Sequence, residues 1–164
     1  MARAPVVPLF AVWLSLLLAL CLQVMPVADG WQVFRPEWVG LMLIYWSMRS
    51  PDRVGVFHGF VVGLLLDLIE GTALGQHALI LSLLAFLAAM VYPRFRAYSL
   101  VQQAVLVLVL LGLVQLVEQW LRTLTGEFSI HLSFLIPSLM SALLWPWLAT
   151  MLVALERRMM SSGT

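Results

Sequence analysis

Apolar runs follow one another along the whole chain, parted each time by only a few polar residues, and this pattern limits the fold more than any motif does. A bilayer core is about 30 Å thick, and a helical crossing takes about 20 residues. Six runs approach or exceed that length, at residues 6–25, 33–48, 54–70, 74–92, 98–124 and 132–155. Hydrophobic residues make up 63% of the chain and charged residues 10%, against about 45–50% and about 25% in an ordinary globular domain. Six crossings in 164 residues leave almost nothing for a soluble domain. The expected fold is an all-α integral membrane protein, one six-transmembrane-helix bundle over residues 1–164.

The runs differ in detail. The first follows a lone Arg3, exceeds a signal-peptide core in length and lacks an A-x-A cleavage site, so it reads as a retained helix ended by Pro26 and Ala28-Asp29-Gly30. The second is short: sixteen residues from Val33 to Met48 reach about 24 Å, so it either spans thinly or re-enters. Pro36 is suited to its first helical turn. The sixth contains Pro137 and Pro146, which kink a helix where neighbours satisfy the freed carbonyl.

Arginines set the orientation, because cytoplasmic ends of membrane helices carry an excess of basic residues. With six crossings and the N-terminus inside, Arg3, Arg49, Arg53, Arg94, Arg96, Arg157 and Arg158 are cytoplasmic, while Arg35 and Arg122 lie outside. A re-entrant second segment with the N-terminus outside gives the same seven-to-two ratio, and the amino-terminal charge favours the first arrangement. Both termini are therefore expected in the cytoplasm. Asp29, Glu37, Asp67, Glu70, Glu118 and Glu127 then fall at the outer face, against Asp52 and Glu156 inside. Trp31, Trp38 and Trp120 form an expected outer aromatic belt; Tyr45, Trp46, Tyr92 and Tyr98 form an inner one.

Several function classes drop out. The formal charge is +1, with nine arginines and no lysine, and no basic stripe suggests a nucleic-acid partner. Cys21 has no disulfide partner, and His58, His77 and His131 are scattered, so no metal or other cofactor is expected. No nucleophile elbow, P-loop, dinucleotide turn or H-E-x-x-H is present. The chain does not read as an enzyme.

The third run carries the most information. Gly55, Gly59 and Gly63 recur every fourth residue and share one helix face. Lipid offers helices no hydrophobic reason to associate, so close approach over small residues supplies the packing. Asp67 is the next step of that stripe, and Gly71 and Gly75 extend it toward the following helix. A carboxylate inside a span is expensive and needs a partner; Arg35 and Arg122 are the candidates on its side, and capping of nearby loop amides is the plainer role. His58, nearer the inner half, reads as a packing residue. In the fifth run Glu118 and Arg122 stand in the favourable i,i+4 order, with Gln115 and Gln119 beside them. Together with Asp67 and Glu70 these groups could line an outward pocket or a contact surface for another membrane helix.

The ordered set Arg35-Pro36-Glu37, Tyr45-Trp46, Pro51, Gly55, Gly59-Phe60, Gly63-Leu64-Leu65-Leu66-Asp67, Gly71 and Leu74-Gly75 resembles the MreD family of bacterial rod-shape-determining membrane proteins. The G-x-x-x-G-F-x-x-G-L-L-x-D core is its most specific part, and the motif spans residues 35 to 79. The resemblance implies a non-catalytic inner-membrane subunit of the cell-elongation machinery that supports peptidoglycan synthesis. It implies direct binding to the scaffold MreC, and a shared assembly with MreB, the glycan polymerase RodA and a penicillin-binding transpeptidase. It also implies likeness to the substrate-binding subunits of energy-coupling-factor transporters, which keeps a second reading open: a solute-binding subunit of a vitamin-type importer. The expected contact groups are Arg35, Asp67, Glu70, Glu118 and Arg122, and the cytoplasmic arginines are expected to meet anionic membrane lipids. A lipid-modifying enzyme ranks last, since Asp67 and Glu70 lack a positioned catalytic partner.

Overall fold

A computed structural model describes residues 8–28, 30–95, 98–124 and 132–161. Arg3, Asp29, Arg96, Glu127 and His131 lie outside them. The described residues form six α-helices and no strand: α1 (Leu9–Val24), α2 (Trp38–Arg49), α3 (Val56–Glu70), α4 (Gln76–Phe95), α5 (Leu100–Leu124) and α6 (Ile136–Ser161). Single 3₁₀ turns at Gln32–Phe34 and Leu132–Leu135 precede α2 and α6. By length and hydropathy α5 and most of α6 are each able to cross a membrane alone, while α1 and most of α4 are shorter apolar helices.

The second run departs most from expectation. Pro36 precedes the helix instead of opening its first turn: Glu37 is the N-cap, and α2 has twelve residues. Nine of them, from Val39 to Met48 with Met42 excepted, are buried. A helix apolar on every side belongs in the interior, and α2 packs against α1, α4, α5 and α6. Leu41, Leu43 and Ile44 are fully buried there with Leu16, Leu84 and Trp145.

Burial also corrects the inner aromatic belt. Tyr45 and Trp46 lie within the bundle, 6% and 3% exposed. The Trp46 indole N–H donates to Ser15 Oγ on α1 at 2.7 Å, and the Tyr45 hydroxyl donates to Glu156 on α6 at 3.0 Å. A buried aromatic with a polar tip needs such a partner, and each ring here ties α2 to a neighbour. At the other end Trp31 and Trp120 are exposed, and Trp38 is half-buried.

α3 and α4 form the most extensive helix pair. A Cβ at Gly59 would stand 2.5 Å from Leu81 O, and one at Gly63 would run into the backbone of His77 and Ala78. These two glycines let the helix backbones touch. Gly55, Gly71 and Gly75 do something else, for added Cβ atoms there meet open space. Gly55 is the extended N-cap of α3. Gly71 ends α3 in the left-handed region at φ 69°, and its N–H and that of Thr72 both return to Asp67 O, the carbonyl-satisfying close that glycine favours at a helix end. Gly75, at φ +99°, sets the chain into α4.

Candidate functional site

Asp67 stands on the last turn of α3, 1% exposed. Its partners are neither Arg35 nor Arg122. Oδ1 accepts the Thr72 hydroxyl at 2.9 Å, the His77 backbone N–H at 2.9 Å and the His77 ring Nδ1–H at 2.8 Å. Oδ2 accepts the Gly75 N–H at 2.9 Å and the Ala78 N–H at 3.4 Å. The first amides of a helix lack intrahelical acceptors, and the helix dipole places partial positive charge there. The carboxylate therefore caps α4 from α3, and the Gly71–Gly75 turn brings the two ends together. Backbone amides and one imidazole take the place of the expected arginine counter-charge.

His77, 8% exposed, extends this junction toward α5. Its Nε2 lies 3.7 Å from Glu70 Oε2 and 3.9 Å from Glu118 Oε1. Glu118 in turn accepts from Arg122 at 2.7 and 3.1 Å, as the i,i+4 spacing allows. Asp67, Glu70, Glu118 and Arg122 thus meet at one end of the bundle, and His77 joins them.

Arg35 has a separate place. Its Nη2 donates to Leu22 O near the end of α1 at 2.6 Å, so it serves a helix carbonyl that α1 leaves open. Beside it, Glu37 gathers three helices. Its carboxylate accepts from Gln23 Nε2 at 3.3 Å and Gln115 Nε2 at 3.4 Å, and its backbone N–H donates to Ser141 Oγ at 2.8 Å. Gln23 Oε1 also takes the Trp38 N–H at 2.9 Å. Between the Glu37 and His77 groups lies a cavity of about 60 Å³, lined in part by Glu37, His77, Gln115 and Glu118. Gln115 Oε1 is buried there without a hydrogen-bond partner in the protein.

Sequence reasoning missed Gln23, His77 and Ser141 as members of this end and placed Glu37 there without a role. His77 carried one signal: it follows Gly75 by two residues, at the start of a helix whose free amides sit near the end of the Asp67 stripe. Gln23 and Ser141 carried none, because 14 and 104 residues separate them from Glu37. His58, nearer the other end, packs its ring on Trp13 at 5.1 Å between centroids.

Among the described residues no group of three or more His, Cys, Asp or Glu is placed to hold a metal ion. Asp67, His77 and Glu37 each engage groups on other elements, an arrangement suited to fixing helix ends and presenting a rigid rim.

Comparison with known proteins assigns the family. The model of the rod shape-determining protein MreD matches residues 6–154. The chain is 32% identical over 155 residues to the rod shape-determining protein MreD of Haemophilus influenzae, an alignment covering 89% of this chain and 93% of that protein. No solved structure matches. With its helical bundle, its membrane-length α5 and α6 and a match that runs nearly end to end, the chain belongs to the MreD family of rod shape-determining membrane proteins.

Proposed function

We propose that this protein is a non-catalytic subunit of the cell-elongation assembly in the bacterial inner membrane, where it binds the scaffold MreC and supports peptidoglycan synthesis. MreB, RodA and a penicillin-binding transpeptidase complete the assembly. The chain crosses the membrane six times with both termini in the cytoplasm, which puts the Asp67–His77 junction at the periplasmic face. The observation that carries this reading is the contrast within that face. Asp67 and His77 are buried, whereas Glu70 is exposed and Glu118 and Arg122 are partly so. The buried pair fixes where α3 ends and α4 begins, and the flanking charges present a rim in a set geometry to a partner's membrane helix and the segment above it. Preorganisation of this kind lowers the ordering cost of binding.

The test is co-purification in mild detergent from native membranes, with partners identified by mass spectrometry. Wild type is expected to retain MreC, and Glu70→Lys combined with Arg122→Glu is expected to lose it while inserting normally. Asp67→Asn and Asp67→Leu variants that insert normally and bind MreC at wild-type strength would remove the ordering role of Asp67. Recovery of an ATPase pair with a membrane coupler in place of MreC would make the bundle a solute-capture subunit.

A further inference from the structure

At the opposite end of the bundle from the Asp67–His77 junction, a groove of about 680 Å³ opens between the C-terminal parts of α2 and α6 and the first turn of α5. Ligand pockets commonly span about 300–1,000 Å³, so this is a full-sized site. Its floor is apolar, with Met48, Leu100, Ala149 and Val153. Trp145, 1% exposed, closes the deep end with its indole N–H donating to Gln103 Oε1 at 3.3 Å.

The mouth is charged and the balance is positive. Arg49 and Arg157 both line the groove. Arg49 is paired with the buried Glu156 at 3.0 Å, and the Tyr45 hydroxyl also donates to that carboxylate, so the acid is fully used. Arg157 is exposed and makes no ion pair with a described residue. Two guanidiniums against one carboxylate leave one positive charge at the open end of an apolar trough.

We infer that this groove binds an anionic phospholipid, with an acyl chain along Met48, Leu100 and Val153 and the phosphate held at Arg157 and the outer edge of Arg49. α5 and α6, the two helices long enough to span, supply most of its walls, so the groove opens into lipid. Any apolar trough there fills with acyl chain; the charge at its mouth decides which headgroup stays. Guanidinium suits phosphate because its fork of donors can engage two oxygens at once. Basic pockets between membrane helices on the cytoplasmic side hold anionic headgroups in this way. A partner's membrane helix fits less well: it would bury Gln103 and the two arginines that a phosphate uses. The inference takes from the proposed function only the leaflet; it does not depend on MreC.

The test is native mass spectrometry of the full chain released from vesicles of equal parts phosphatidylcholine and phosphatidylglycerol. Wild type is expected to carry phosphatidylglycerol in excess of phosphatidylcholine. Arg157→Gln is expected to lower that preference about fivefold, the effect of one basic residue near an anionic surface, while Arg158→Gln, one residue along and outside the groove lining, leaves it intact. Ala154→Trp, at an exposed groove position, is expected to remove both retained lipids. Equal effects of Arg157→Gln and Arg158→Gln would mean diffuse surface attraction and overturn the site. Wild-type phosphatidylglycerol retention in Ala154→Trp would overturn it as well, and the more firmly if that variant lost a protein partner instead. The readout is lipid mass on the purified chain, so loss of MreC binding and loss of the lipid are separate results.

Discussion

The Asp67 carboxylate holds His77 twice, accepting the ring Nδ1–H at 2.8 Å and the backbone N–H of the same residue at 2.9 Å. One side chain at the end of α3 thereby supplies acceptors for the start of α4 and sets the direction of a buried ring. The same two oxygens also take the Thr72 hydroxyl and the Gly75 N–H.

Removing this acceptor leaves several buried donors unpaired at once. Each such donor costs about 1–3 kcal/mol, so Asp67→Ala is expected to lower stability by about 3 kcal/mol or more. Asp67→Asn keeps one acceptor oxygen and should lose less. Thermal unfolding in detergent micelles, followed by tryptophan fluorescence, measures both. A double-mutant cycle with His77→Ala isolates the pair, and a coupling near zero would show that the amides, not the imidazole, are what Asp67 serves.

The glycines separate into two kinds with different outcomes. At Gly63 a side chain meets the backbone of α4, which has no flexible end to yield. Gly63→Val is therefore expected to push α3 from α4 and cost about 3 kcal/mol, at the upper end for overpacking. Gly55→Ala meets open space and should fall within about 0.5 kcal/mol of wild type. Gly71→Ala, at a positive φ, should cost about 1–2 kcal/mol through backbone strain alone. The amount of each variant folded in the membrane, with its melting temperature, gives the ranking. A Gly63→Val protein as stable as Gly55→Ala would contradict the close approach.

How far the site was legible follows from where each partner lies along the chain. The Glu118–Arg122 pair is local, and helix periodicity alone brings the two together. Asp67 was readable as buried because it continues the stripe of Gly59 and Gly63. Amide capping was readable as its plainer role, but not which amides or which imidazole it serves, since those depend on the turn that Gly71 and Gly75 make. Spacing by four likewise grouped five glycines that the backbone divides, for the stripe ends where α3 ends and beyond it periodicity no longer implies a shared face. Pro36 shows the same limit: proline suits a first helical turn, yet the N-cap is Glu37, whose contacts are with Gln23, Gln115 and Ser141. Such long-range polar partners leave no trace in local pattern.

At the other end, Glu156 is 5% exposed and depends on Arg49 and Tyr45. Breaking a buried ion pair from one side leaves an uncompensated charge and costs about 3–5 kcal/mol, whereas replacing both members is often neutral. Arg49→Met alone is thus expected to destabilise strongly, and adding Glu156→Leu should recover most of the loss. Tyr45→Phe should cost about 1 kcal/mol, the net worth of one hydrogen bond. If the double variant melts no higher than Arg49→Met, the acid is not what the arginine satisfies.

The shortness of α2 makes topology a sharp question. Twelve residues rise only about 18 Å, well below the thickness of the hydrocarbon core. Such a helix can still cross, because irregular backbone at membrane depth is tolerated where protein surrounds it, and α1, α4, α5 and α6 all pack on α2. Its flanks are suitably placed for labelling: Gln32 and Asp52 are both exposed. In a Cys21→Ala background, Gln32→Cys is expected to react with a membrane-impermeant maleimide in intact spheroplasts, and Asp52→Cys only after permeabilisation. Labelling of both from one side would make α2 re-entrant. That result would contradict the packing of the bundle, in which Glu37 sits beside Gln115 and Glu118 at one end and Arg49 pairs with Glu156 at the other.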